Sequence, residues 1–373
     1  MTPFQLEDFF DQYEHCAGVL NLASSDALPW PAAVLADRGI NLVDALKFSF
    51  SYPDVTKDLT PHLRAFCKPP EGMEILPTSG AAEAIALVLH EYADASRDKR
   101  DTCIALPSPS YGAFPGLAEL LQLRFCKYTY DPHKGWRPDL DEMRDLASRC
   151  TALVVINPHN PSGHCLPLEF LRHLADALAK HDGILIVDEV FLVPGEAPSA
   201  VSVGPNVVLI ASLSKTYGLP GLRLGWIAAS KGRVRRLRTV QQYLTLTLNK
   251  VTVALGAAIL PKHAVFSRAQ LVNENRRVLL AWANSTQGMA SISRPSGGTT
   301  VCLMMPTQRD ETTMFRKLLD GGVLLVPGSR CFEFTCGTPW FRIGYACASD
   351  TLRDGLRKIA DVLNISTSAD APV

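Results

Sequence analysis

The segment SLSKTYGLPGLRLGW, Ser212 to Trp226, follows the apolar run VVLIA and sets one lysine, Lys215, among small hydroxyl residues and glycines. Ser212, Ser214 and Thr216 offer donors, Gly218, Gly221 and Gly225 allow close backbone approach, and Arg223 adds a positive charge. That is the set an anionic ligand requires. Read alone, Lys215 could equally be a solvated loop lysine.

Four further segments carry chemistry. GILIVDEVF (183–191) puts Asp188 and Glu189 at the C-terminal end of an apolar strand, the edge where open α/β sheets bind ligands. A carboxylate there either ligates a metal or pairs with a cationic ligand group. No histidine or further acid stands at ligand spacing, so metal is the weaker option. VVINPHNPSGH (154–164) is an irregular loop that presents Asn157 and Asn160, or else a rigid connection. PTSGAAEA (77–84) runs from a strand through Ser79 and Gly80 into a helix start, whose free N–H groups and positive dipole end favour a phosphate. ALPSPSYGAF (105–114) offers Tyr111 as a stacking face. Each segment lies just past a strand, so in a parallel sheet all five converge on one edge. A lysine, an acid, an asparagine, a stacking aromatic and a phosphate cup together describe a site for pyridoxal phosphate.

In the order SGA, PSYGAF, NPHNPSG, DEVF, SLSKTYGLPGLRLG and FRIGY, the chain resembles the fold-type I pyridoxal-phosphate enzymes of the aspartate aminotransferase superfamily, class I/II. The local form of PSYGAF and GLPGLRLG is closest in style to the histidinol-phosphate aminotransferase branch. The resemblance implies that Lys215 forms a Schiff base with the cofactor aldehyde and later moves the proton at Cα, although a free lysine, with a pKa of about 10.4, must first lose its proton. It further implies that Asp188 faces the pyridine nitrogen, Asn160 bonds the ring oxygen O3′, and Tyr111 and Val190 press on the two ring faces. Ser79, Gly80, Ala81, Ser212 and Arg223 would hold the phosphate. Arg342 in WFRIGYA would grip the substrate α-carboxylate, near Asn160, with its bidentate fork. Tyr52 in SYPDVT would reach the phosphate of a second subunit, which implies a homodimer with composite sites.

Two positions depart from the family pattern. Where a tyrosine usually stands three residues after the aspartate, this chain has Phe191, which cannot donate to O3′. Losing a donor to that anion raises the proton affinity of the Schiff base. Titrating the cofactor absorbance band against pH should therefore give a lower pKa for Phe191→Tyr than for the natural enzyme, and equal values would refute the idea. In SGGTTV (296–301), Thr299 and Thr300 stand where a larger apolar residue is expected. The expected activity is transfer of an amino group between an α-amino acid and a 2-oxo acid. The alternative is a non-transaminating reaction on the same scaffold: decarboxylation, elimination, cyclisation or oxidation.

These residues need a scaffold, and the chain supplies its signature. From about residue 73, short apolar runs (73–76, 102–106, 125–130, 152–156, 184–187, 207–211, 224–228) alternate with stretches of helical period such as 81–93 and 166–180. Several runs are apolar at consecutive positions, as strands covered on both faces must be. This predicts an α/β fold in which helices flank a mostly parallel sheet, the large cofactor-binding domain, over 45–262. Residues 1–44 and 263–373 then form a smaller α+β domain from both chain ends, with strands at 300–304 and 323–326 and a last helix at 351–363.

Composition narrows the function classes. Lysine plus arginine number 37 and aspartate plus glutamate 37, so no global field favours a nucleic acid or an acidic membrane surface. No apolar run reaches the roughly 18 residues of a membrane span, and the acidic first 20 residues are unlike a secretory signal, so a cytoplasmic protein is expected. The ten cysteines show no CxxC pair and no zinc spacing, and read as mostly buried thiols. The basic run KGRVRRLR (231–238) reads as a solvated helix face.

Overall fold

The structure, a computed structural model, describes residues 3–41, 55–96, 103–305, 310–332, 334 and 336–366. Its strands are, in chain order, β1 (Leu20–Asn21), β2 (Met73–Thr78), β3 (Ile104–Ser108), β4 (Phe125–Asp131), β5 (Arg137–Pro138), β6 (Ala152–Ile156), β7 (Ile184–Asp188), β8 (Val207–Ser212), β9 (Gly225–Ser230), β10 (Ser291–Ile292), β11 (Thr300–Met304), β12 (Val323–Leu324), β13 (Val326–Pro327) and β14 (Trp340–Gly344). Eight of them form one sheet in the order β2-β9-β8-β7-β6-β3-β4-β5. The pairs β4–β3, β3–β6, β6–β7 and β7–β8 are parallel. β9 runs against both β2 and β8, and β5 runs against β4.

Both faces of this sheet are covered, and alternate residues of one strand feed different cores. Leu153 and Val155 of β6 pack with Leu171 and Leu174 of the helix Leu168–Ala179. Val154 and Ile156 pack with Ala84, Ile85 and Val88 of the helix Gly80–Ser96. That two-sided burial is why every position of the strand is apolar.

A third core joins the two ends of the chain. Leu6 and Phe9 of the helix Gln5–Tyr13 share it with β11, β14 and the C-terminal helix Ser349–Leu363. That last helix buries Leu352, Leu356 and Ile359, one stripe at steps of four and three. A four-stranded sheet in the order β10-β11-β14-β13 lies there, and β1 pairs in parallel with β12, Leu20 against Val323.

The basic helix departs from its sequence reading. Within Lys231–Leu244, Val234 and Leu237 are buried, and Arg233 and Arg236 both pair with the buried Glu91, the latter at 2.7 Å. Part of that charge serves a buried carboxylate, where it offsets the cost of taking an acid out of water. No helix among the described residues is long and apolar enough to cross a membrane.

Candidate active site

The carboxyl ends of β2, β3, β6, β7 and β8 open onto a cavity of about 500 Å³. Ala81, Tyr111, Asn160, Asp188 and Val190 line it. So do Ser212, Lys215, Arg223 and Arg342. Nine of the residues singled out by sequence therefore share one space. Ser79 and Gly80 stand beside it at the start of the helix Gly80–Ser96. Tyr52 lies outside the described residues.

Lys215 is held at the rim. Its Nζ lies 2.6 Å from Asp26 Oδ1, and its carbonyl accepts from the Ala27 N–H at 2.9 Å. Asp26 was not legible beforehand: it is a single acid in an N-terminal segment that reaches the site only through tertiary folding. The neighbouring segment also explains Thr299, which stood unexplained in the sequence. Its hydroxyl donates to the Ser25 carbonyl at 2.8 Å and is fully buried, so a larger apolar side chain would break that tie. The N-terminal helix contributes Glu7 and Phe10 to the wall and the residue before it, Phe4, lies 5.6 Å from the Tyr111 ring.

Asp188 ends β7 with its side chain buried. Oδ1 accepts from the Val190 N–H at 2.9 Å. Burial pushes its pKa up to about 7, against the pull of that hydrogen bond and of Lys215. Its neighbour Glu189 points elsewhere: Ser199 Oγ donates to it at 2.6 Å and the Ala200 N–H at 2.5 Å, and burial again raises it to about 7. Burial first, then the charges of Glu7 and Asp188, raise Tyr111 to about 12, so it is a neutral phenol.

The loop after β6 is braced from within. Asn157 exchanges both side-chain hydrogen bonds with the Leu166 backbone, at 2.8 and 3.2 Å, and so serves the loop, not the cavity. His159 is fully buried, 3.5 Å from the Tyr130 ring in parallel stacking, and contacts Ser162 Oγ and the Pro109 carbonyl at 2.9 and 3.0 Å. Burial lowers its pKa to about 3, so the imidazole is neutral. This bracing leaves Asn160 to face Arg342, whose Nη1 donates to Asn160 Oδ1 at 3.3 Å while Nη2 donates to the Ala23 carbonyl at 2.8 Å.

The cup at the helix start is tight. Gly80 has φ +79°, and a Cβ built there would lie 2.4 Å from Arg223 Nη2. A Cβ on Gly225 would come within 2.8 Å of Ala81 N, so β9 and the helix start touch backbone to backbone. The Ser79 N–H donates to Glu83 Oε2. The Arg223 guanidinium thus lies against the helix start where Gly80 carries no side chain, a cation beside a helix N-terminus, as a dianionic group needs.

Comparison with known proteins places the family and the fold. The family described as aminotransferase class I and II matches residues 19–369. Capreomycidine synthase of Streptomyces vinaceus is 32% identical over 356 residues, 93% of this chain and 88% of that protein. The aspartate/prephenate aminotransferase of Thermus thermophilus is 28% identical over 300 residues, 78% of this chain and 75% of that protein. Among solved structures, a PLP-dependent aminotransferase from Streptococcus suis superposes with a TM-score of 0.84 at 24% identity, covering 99% of each chain.

Proposed function

Because the chain belongs to the aminotransferase class I and II family, enzymes that work with pyridoxal 5′-phosphate, we propose that it moves an amino group between an α-amino acid and a 2-oxo acid, with Lys215 as its covalent centre. The observation that carries this is the meeting, in one cavity, of the Lys215 amine, the buried Asp188 carboxyl, Arg223 against Gly80, and Arg342. The cavity residues fit the cofactor: the Arg223 guanidinium lies against the glycine at the helix start, and Asp188 is a buried acid that a protonated ring nitrogen would pair with. When bound, the cofactor supplies an aldehyde and an electron-accepting ring.

The chain supplies the rest. Lys215 would provide the amine that holds the aldehyde and, when free, the base that takes and returns the proton at the substrate Cα. Asp188 would keep a proton on the ring nitrogen, and Asn160 would donate to the ring oxygen. Tyr111 and Val190 would confine the ring. Gly80 and Ala81 would offer backbone N–H groups to the phosphate and Ser79 its hydroxyl, joined by Ser212 Oγ and Arg223. Arg342 takes the α-carboxylate, exchanging its bond to Asn160 for a charged partner. The larger unit spans 45–262 and the smaller one 1–44 with 263–373. The active form would be a cytoplasmic homodimer in which Tyr52 of the partner subunit reaches the phosphate.

A second reading, cyclisation or another non-transaminating step, is favoured by the synthase that matches 93% of this chain and by Phe191, which lines the cavity where a donor usually stands. One experiment separates the two. The holoenzyme is incubated with a panel of amino acids while cofactor absorbance, carbon dioxide and ammonia are followed. Conversion of the cofactor to its amine form supports transamination. Product release with the absorbance unchanged supports the second reading.

The phosphate cup provides its own check. Gly80→Ala must shift Arg223 and take up a positive φ that side chains resist, which costs on the order of 1–3 kcal/mol. Cofactor affinity measured by fluorescence quenching should weaken at least about tenfold. Unchanged affinity would remove the cup from the site.

A further inference from the structure

A second cluster of reactive groups lies at the opposite rim of the large sheet. Cys103 precedes β3, Cys126 lies in β4 and Cys150 precedes β6, so three neighbouring parallel strands each deliver one thiol at the amino end. Cys126 Sγ is 3.7 Å from Cys103 Sγ and 3.6 Å from Cys150 Sγ, and all three sulfurs fall within 4.8 Å of one another. The five residues of β6 put this cluster roughly 16 Å from the Asn157 end of that strand, away from Lys215. Nothing in the reaction described above uses it.

We propose that Cys103, Cys126 and Cys150 form a three-sulfur site for a thiophilic monovalent ion of the copper(I) class. A metal–sulfur bond of about 2.3 Å requires sulfurs about 3.8–4.0 Å apart, close to the two separations observed, so the ion enters with little backbone movement. The ladder of β4, β3 and β6 fixes those positions. A site carried on paired strands is more exact than one carried on loops. Among the described residues the group contains no fourth histidine, cysteine or carboxylate, and three soft donors with no oxygen or nitrogen select a soft ion. Access exists, because Cys103 and Cys126 are only half-buried while Cys150 is buried.

Binding breaks three S–H bonds, forms three metal–sulfur bonds and releases three protons to solvent, with no change of oxidation state.

The test uses reduced holoenzyme titrated with copper(I) under anaerobic conditions against bicinchoninate, whose colour reports the copper transferred. The natural enzyme and Cys16→Ser should each retain one equivalent, and X-ray absorption should show three sulfurs at about 2.3 Å. Cys126→Ser and Cys103→Ser should lose at least about 100-fold in affinity, with cofactor absorbance and turnover unchanged. Where Cys126→Ser does not fold by circular dichroism, Cys103→Ser carries the comparison. Equal retention by these variants and the natural enzyme overturns the site, as do several loosely held equivalents that no single substitution removes.

Discussion

Replacing Lys215 with alanine is expected to lower turnover by at least about 10⁴-fold while leaving the protein folded. The proposed centre has one amine at the cavity rim, and the substitution removes both the covalent link to the cofactor and the base that carries the Cα proton. The fold should survive because the Lys215 side chain is 26% exposed and Asp26, its partner, is 31% exposed. Water can solvate the carboxylate left behind. Borohydride treatment of the yellow natural enzyme, followed by peptide mass spectrometry, should place the cofactor's mass on Lys215 and on no other lysine. The alanine variant should still take up cofactor through Arg223 and Ser212 but carry no label. Labelling elsewhere, or a variant that keeps a hundredth of the activity, would show the assignment to be wrong.

The second large effect belongs to Asp188→Asn. The amide keeps the shape and can still accept from the Val190 N–H, but it cannot hold a positive charge on the ring nitrogen. Breaking a buried charge pair costs about 3–5 kcal/mol, which corresponds to a fall of roughly 10²–10⁴ in rate. The same residue makes the cofactor-free protein sensitive to pH. Its carboxyl titrates at about 7 when folded and in the ordinary range near 3.8 when unfolded. The folded form therefore binds the proton more tightly, and the resulting stability is fully present below about pH 4 and lost as pH rises through 7. Glu189 acts in the same sense. Cofactor-free protein should thus melt lower at pH 8 than at pH 6, and the drop should shrink in Asp188→Asn. Bound cofactor, which brings a cation to Asp188, should shrink it as well. Melting curves of the two proteins at both pH values, with and without cofactor, check this, and identical slopes would contradict it.

Much of the scaffold could be read from the chain because its strands are covered on both sides. The runs 152–156, 184–187 and 207–211 are apolar throughout, and the observed β6, β7 and β8 coincide with them or extend by one residue. A hydrophobic run carries no direction, however, so the reversal of β9 at 225–230 was not visible. The residues past each strand end were legible for the same reason the site exists: parallel strands send those turns to one rim. What escaped detection depends on distance along the chain. Asp26 meets Lys215 across 189 positions, and no local pattern marks a lone acid for such a meeting. The three thiols, separated by 23 and 24 residues, are brought together only by strand register, which spacing rules for metal motifs do not encode. The pairing of Arg233 and Arg236 with Glu91 was hidden likewise, because the sequence shows the cations on one helix and their buried acid on another.

The parallel pairing of β1 with β12, Leu20 against Val323, has a consequence for how the molecule is made. The two strands leave the ribosome some 300 positions apart, and at 5–20 residues per second the earlier one waits roughly 15–60 seconds for its neighbour. Asp26, carried just behind that strand, comes off the ribosome well before the lysine it will face. The segment that carries β1 and Asp26 thus emerges before the strand it pairs with, and the reaction chamber cannot be completed until Arg342 has followed.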